Sequence, residues 1–162
     1  SSEVAVFGFR GWTAPDSGED TKLENFGGGY AAHDDNYIEQ AIDFVKDWEQ
    51  RKAQDPSTRP FCMVLSLVNP HDVLSYPQTN LDGGYDASWL APDPLHPLPI
   101  PPGADENLLT NMKPAGHWQV KAVMAAGLGP VDDPESMQEY LNFYGRLVED
   151  NEQKQARLLD MS

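Results

Sequence analysis

A single cysteine, Cys62, stands among the 162 residues, so no internal disulfide framework holds this chain together. One thiol leaves the cellular compartment open. Basic side chains are also scarce: 11 Lys+Arg face 26 Asp+Glu, for a formal net charge of -15. Nucleic acid and anionic membrane surfaces reward clustered Lys and Arg, so neither is an expected partner. The acidic residues are spread along the chain rather than gathered into a tail, which reads as a solvated acidic surface. Long apolar runs are absent. The longest, Phe61 to Val68, falls far short of the roughly 20 residues a membrane-spanning helix needs. Ser1-Ser2-Glu3-Val4 lacks the basic start and apolar middle of a secretory signal. The expectation is a soluble single segment over residues 1–162, long enough to bury a core and open to being part of something longer.

What is present is organised around residues 59–72, Arg-Pro-Phe-Cys-Met-Val-Leu-Ser-Leu-Val-Asn-Pro-His-Asp. Phe61 to Val68 is apolar but for Ser66, is free of Gly and charge, and is bounded by Pro60 and Pro70. Such a run predicts a strand buried on both faces of a parallel sheet. Pro70 cannot donate to a ladder and biases Asn69 toward extended backbone, so the strand should end there. In open α/β sheets ligands bind at the carboxyl ends of strands, which makes His71 the leading candidate site residue.

Upstream, residues 3–12 suggest a short strand entering a glycine-punctuated turn, and Gly27-Gly28-Gly29 reads as a flexible hinge. The three glycines lack the companions of a phosphate-binding loop. Asn36 and Glu39 have capping-box spacing, and Tyr37, Ile38, Ala41, Ile42, Val45 and Trp48 recur on one helical face. Arg51 and Lys52 suit the carboxyl end of that helix. Downstream of His71, nine of the 14 prolines lie between Pro70 and Pro114, and residues 73–133 read as a long irregular loop region. Tyr76, Tyr85, Trp89 and Trp118 within it favour a packed loop over free disorder. Asp133 then caps a last helix with Pro134 at its first position. Its apolar stripe is Met137, Tyr140, Leu141, Tyr144, Leu147 and Val148.

Other candidate chemistry carries bland explanations. His33-Asp34-Asp35 has metal-ligand character, but acidic residues also belong at a helix entry. Cys62 sits in an apolar run with no charge nearby to activate it, and reads as an inert core residue. Asp82-Gly83-Gly84 reads as a turn, and His96, flanked by prolines, is uninformative. Lys113 and His117 become donors to an anionic substrate if the proline-rich loop folds over the strand end.

These residues together resemble the sulfatase family, within the alkaline-phosphatase-like superfamily. Four stretches carry the resemblance in the family's order: Phe7-Gly8-Phe9-Arg10-Gly11-Trp12; Asp34 or Asp35 opening the helix Ala41-Ile42-Asp43-Phe44-Val45; Arg59-Pro60-Phe61 through Ser66-Leu67-Val68-Asn69-Pro70-His71-Asp72; and Tyr140-Leu141-Asn142-Phe143-Tyr144 leading to Arg157-Leu158-Leu159-Asp160. The third is the specific one. The resemblance implies an α/β fold, a partial alkaline-phosphatase-like sheet with flanking helices and the long proline-rich loop. It implies a hydrolase of sulfate esters with a formylglycine nucleophile and Ca²⁺ or a similar divalent ion. In such an enzyme His71 binds substrate and transfers a proton beside the sulfate.

The sequence also departs from the family. Formylglycine forms in a Cys/Ser-x-Pro-x-Arg motif, but Cys62 is followed by Val64 and Ser66 at the proline and arginine positions. The family's early Asp-Asp metal pair has no counterpart, and its Asp-Asn-Gly segment would fall beyond Ser162. On the last helix, Glu152 and Gln155-Ala156 replace the family's Asp and Ile-Gly. The chain therefore reads as the middle segment of a catalytic domain, partnered by the rest of that domain, with its Ca²⁺ ligands outside this chain. Alone it is expected to be inactive. The competing reading is a non-enzymatic acidic α/β module that binds a protein or carbohydrate through the aromatic and proline-rich loop.

Overall fold

The computed structural model describes residues 3–11, 21–94 and 97–161. Among these residues three α-helices carry the regular structure: α1 over His33–Gln54, α2 over Ala115–Leu128 and α3 over Pro134–Leu159. Short 3₁₀ turns occupy Glu3–Phe7, Leu23–Asn25, His71–Ser75 and Ala87–Trp89. No described residue lies in a β-strand. The expectation of an α/β sheet is therefore corrected: the described architecture is helical.

The reason lies in what Phe61 to Val68 meets. A strand exists only as part of a ladder, and among the described residues no second segment pairs with this one. Among the described residues, no protein group hydrogen-bonds to the backbone of 61–67. Its first residue rests instead on α1, where the Phe61 ring stands edge-on to Phe44 and Trp48 at centroid distances of 5.1 Å each. Exposure alternates along the run: Cys62, Val64 and Ser66 are exposed, and Met63, Leu65 and Leu67 are half-buried. One face is covered, not two. The inert core cysteine is corrected with it, because Cys62 is exposed. The short strand expected near the N-terminus is likewise a 3₁₀ turn over Glu3–Phe7, and Trp12 lies outside the described residues.

Both long helices follow from their sequences. α1 buries Ile38, Ala41 and Ile42 and ends with Arg51 and Lys52 in its last turn. It begins three residues before the Asn36 capping box, after Ala32 in left-handed backbone at φ 48°. At α3 the Asp133 side chain accepts the Glu135 and Ser136 N–H groups at 2.9 and 3.0 Å, with Pro134 inside the first turn. The stripe on α3 is shifted from the expected one. Phe143 and Leu147 are fully buried, whereas Tyr144 is exposed.

The core is built largely by loops lying on α3: Phe26, Val73, Tyr76 and Tyr85 pack with Phe143 and Leu147, and Trp89 and Tyr140 close its flank. Tyr85 meets Phe143 and Trp89 edge-on at 4.9 and 5.0 Å. Such contacts add about 0.5–1.5 kcal/mol to burial. The 73–133 region thus supplies half of the core, and it contains α2. That helix has no buried residue, and its Val120 and Val123 face solvent.

Phe143→Ala is expected to cost about 3–5 kcal/mol by removing the ring at the centre of the core. Val123→Ala, on exposed α2, should stay within about 0.5 kcal/mol. Denaturant melts of both variants test the placement. Equal losses would show that the core is elsewhere.

Candidate functional site

The end of the apolar run is held by the start of α1. Asp34, fully buried in the first turn, accepts the Val68 N–H at 2.6 Å through Oδ1 and the Asn69 N–H at 3.0 Å through Oδ2. The glycines make room for this. A Cβ on Gly27 would strike the Asp34 carboxylate and come within 2.7 Å of the Val68 Cβ. One on Gly28 would lie 2.5 Å from the Tyr85 hydroxyl. Gly27 and Gly28 are thus buried packing positions rather than a loose hinge.

Asn69 is the next link. Its Oδ1 accepts the Asp72 N–H at 3.2 Å, its Nδ2 donates to the Tyr85 hydroxyl at 3.3 Å, and its carbonyl accepts Asn151 Nδ2 from α3 at 2.7 Å. His71 and Asp72 follow in the 3₁₀ turn after Pro70. Asp72 is fully buried, and its Oδ2 accepts the Gly28 N–H at 3.0 Å and the Tyr85 hydroxyl in a short hydrogen bond. Burial first, then the Asp72 charge, pushes the Tyr85 phenol well above its ordinary range, so it remains a donor.

His71 borders this network. Its side chain keeps 23% exposure, and its Nδ1 lies 3.7 Å from Asp72 Oδ1. A half-exposed imidazole backed by a buried carboxylate can contact an anionic group and exchange a proton with it.

The other candidates lie apart. Lys113 pairs with Glu106 at 3.2 Å, and Asn111 donates to the same carboxylate at 2.8 Å. The Asn111 hydrogen bond, then Lys113, lowers the Glu106 carboxyl. No hydrogen bond or ion pair among the described residues joins Lys113 to His71. His33 is held to the Glu24 carbonyl at 2.8 Å and stacks on Tyr37, while Asp35 faces Lys154 at 3.4 Å. Both serve the helix entry. His96 lies outside the described residues. Among the described residues, no three His, Cys, Asp or Glu side chains are grouped to hold a metal ion.

Sequence reasoning singled out His71 and gave no sign of Gly28, Tyr85 and Asn151, which belong to the network beside it. Only Asn69 and Asp72, flanking Pro70-His71, gave a local signal. The chain matches no protein-family model, no curated protein and no solved structure.

Burial, the largest influence, raises the Asp34 carboxyl above its ordinary value of 3.8, against the lowering effect of the Val68 and Asn69 amides and Lys154; Asp72 raises it further. The folded state therefore holds this proton more tightly than the unfolded chain. Its stabilising contribution is full below pH 3.8 and is lost as pH rises through the raised folded value. Asp34→Asn removes that dependence and, because an amide nitrogen cannot accept a backbone N–H, costs about 1–3 kcal/mol. Denaturant melts at several pH values should show the wild-type advantage shrinking as pH rises. An advantage that grows with pH would contradict this electrostatic account.

Proposed function

We propose that this chain is part of a sulfatase-like hydrolase and contributes His71 to the pocket that holds a sulfate ester. One observation carries the reading. In the Asn69-Pro70-His71-Asp72 stretch, the stretch most specific to the resemblance, Asn69 and Asp72 anchor a buried network and His71 borders solvent. In the parent enzyme the imidazole contacts the sulfate and donates a proton toward the leaving oxygen. Lys113, now paired with Glu106, is the secondary substrate contact and requires release of that pair.

On this reading the ligands of the Ca²⁺ ion that the resemblance implies belong to the remainder of the sulfatase domain. The nucleophile belongs there too, since the chain carries no Cys/Ser-x-Pro-x-Arg motif. The compartment follows the parent's. The protein encoded by the whole reading frame around this chain is expected to hydrolyse an aryl sulfate, and His71→Ala to lower its kcat/KM by about 10²-fold or more. The present chain alone should give no turnover. Wild-type activity in the His71→Ala parent would remove His71 from the reaction, and hydrolysis by this chain alone would refute the division of labour.

A second reading, an interaction module, draws on the exposed apolar surface of α2 and the loop before it. Leu109 and Met112 are exposed there, as are Val120, Val123 and Met124. Apolar patches beyond a few hundred Å² favour association. Under this reading the chain binds an environment-sensitive hydrophobic dye, and Val123→Glu weakens that binding. A dye signal indifferent to Val123→Glu would leave the module without its surface.

A further inference from the structure

Among the buried polar side-chain atoms that lack a hydrogen-bond partner are two on adjacent residues, His71 Nδ1 and Asp72 Oδ1. They face each other at 3.7 Å. A buried donor or acceptor left unpaired costs free energy comparable to a lost hydrogen bond, and each of these atoms has the other nearby. The separation exceeds a hydrogen bond, and a small rotation of the imidazole would close it. The other carboxylate oxygen is already engaged by the Gly28 N–H at 3.0 Å and by the Tyr85 hydroxyl. Asp72 is thereby fixed with Oδ1 toward the imidazole.

We propose that Asp72 is the positioning residue for His71: its Oδ1 takes the Nδ1–H of the ring and so presents Nε2 as the atom that meets the substrate. This deepens the sulfatase reading and rests on it for the identity of that substrate, but the tautomer itself is a property of the present chain. The carboxylate selects one tautomer because Oδ1 can only accept, so a proton on Nδ1 is favoured and Nε2 is left as the atom that takes up and then gives up the second, transferable proton. Tyr85, kept a phenol by its surroundings, holds the carboxylate from behind. Asn69 in turn steadies the Tyr85 hydroxyl at 3.3 Å. His71 supplies the chemistry, and the other three set its orientation.

Asp72→Asn makes a sharp test because it is nearly isosteric. The amide oxygen retains the Gly28 and Tyr85 contacts at the Oδ2 position, and the amide nitrogen then faces Nδ1 as a donor. The proton must move to Nε2. Imidazole ¹⁵N spectra of this chain, recorded where the ring is neutral, should show Nδ1–H in the wild type and Nε2–H in Asp72→Asn. Should Asp72→Asn fail to fold, the wild-type spectrum alone decides. An Nε2–H wild type, an even mixture, or a folded Asp72→Asn with an unchanged spectrum would overturn the proposal. In the parent enzyme Asp72→Asn is expected to lower kcat by about 10²-fold with KM little changed, since acid–base positioning acts on the chemical step. An unchanged kcat would likewise overturn it. A parent without sulfatase activity, combined with an Nδ1–H wild type, would support the positioning role and defeat only the sulfatase reading.

Discussion

The site depends on one buried carboxylate. Asp34 accepts two successive backbone N–H groups, Val68 and Asn69, and has no contact with water. Transferring a carboxyl into the interior is costly unless it is hydrogen-bonded, so the side chain and those two amides must stay together. The clamp fixes residues 68–69 against the first turn of α1. From that fixed point Asn69 reaches Tyr85 and the Asp72 amide, and Asp72 reaches Gly28. Gly27 and Gly28 belong to the same constraint, because a side chain at either would occupy the space of Asp34 or Tyr85.

A second constraint holds α3 in place, and it uses the scarce cations. Lys154 lies nearly buried between Asp150 at 2.6 Å and Asp35 at 3.4 Å, and Arg157 pairs with Asp35 and Glu39. Burial by itself would lower the Lys154 ammonium, but Asp150 and Asp35 outweigh it and raise it above its ordinary range. In a chain of net charge -15 these cations sit where α1 and α3 meet, relieving repulsion between their carboxylates. The same helix contributes Asn151 to the Asn69 carbonyl, so the ionic contacts also bear on the site.

α1 and α3 were legible because their signals are local: a 3.6-residue apolar period, cations in the last turn of α1, and Asp133-Pro134 at the start of α3. The sheet was not, because an apolar run specifies only the preference of one segment, while a strand also requires a neighbour. α2 carries no such signal, because Ala115–Leu128 is apolar without a one-sided stripe and follows a proline-rich stretch. Of the site, His71 and Asp72 were visible as neighbours. Gly28, Tyr85 and Asn151 were not, since their separations from Asp72 or Asn69 of 44, 13 and 82 residues follow no helical or strand period.

The two ends of residues 61–69 differ in how they are held, and the difference bears on function. Among the described residues the backbone of 61–67 receives no protein hydrogen bond, whereas the amides at 68 and 69 and the carbonyls of Val68 and Asn69 are all engaged. Segments whose backbone groups face water open locally at small free-energy cost, and those tied into buried networks open near the global cost. The rigid end is the one that carries His71. Its setting therefore rests on Asp34, Asn69 and Asp72 rather than on ladder pairing of the apolar run. In the proposed role the imidazole must be held to within about 0.5 Å of its working position. A buried hydrogen-bonded network supplies that restraint whether or not the preceding residues have a neighbouring strand.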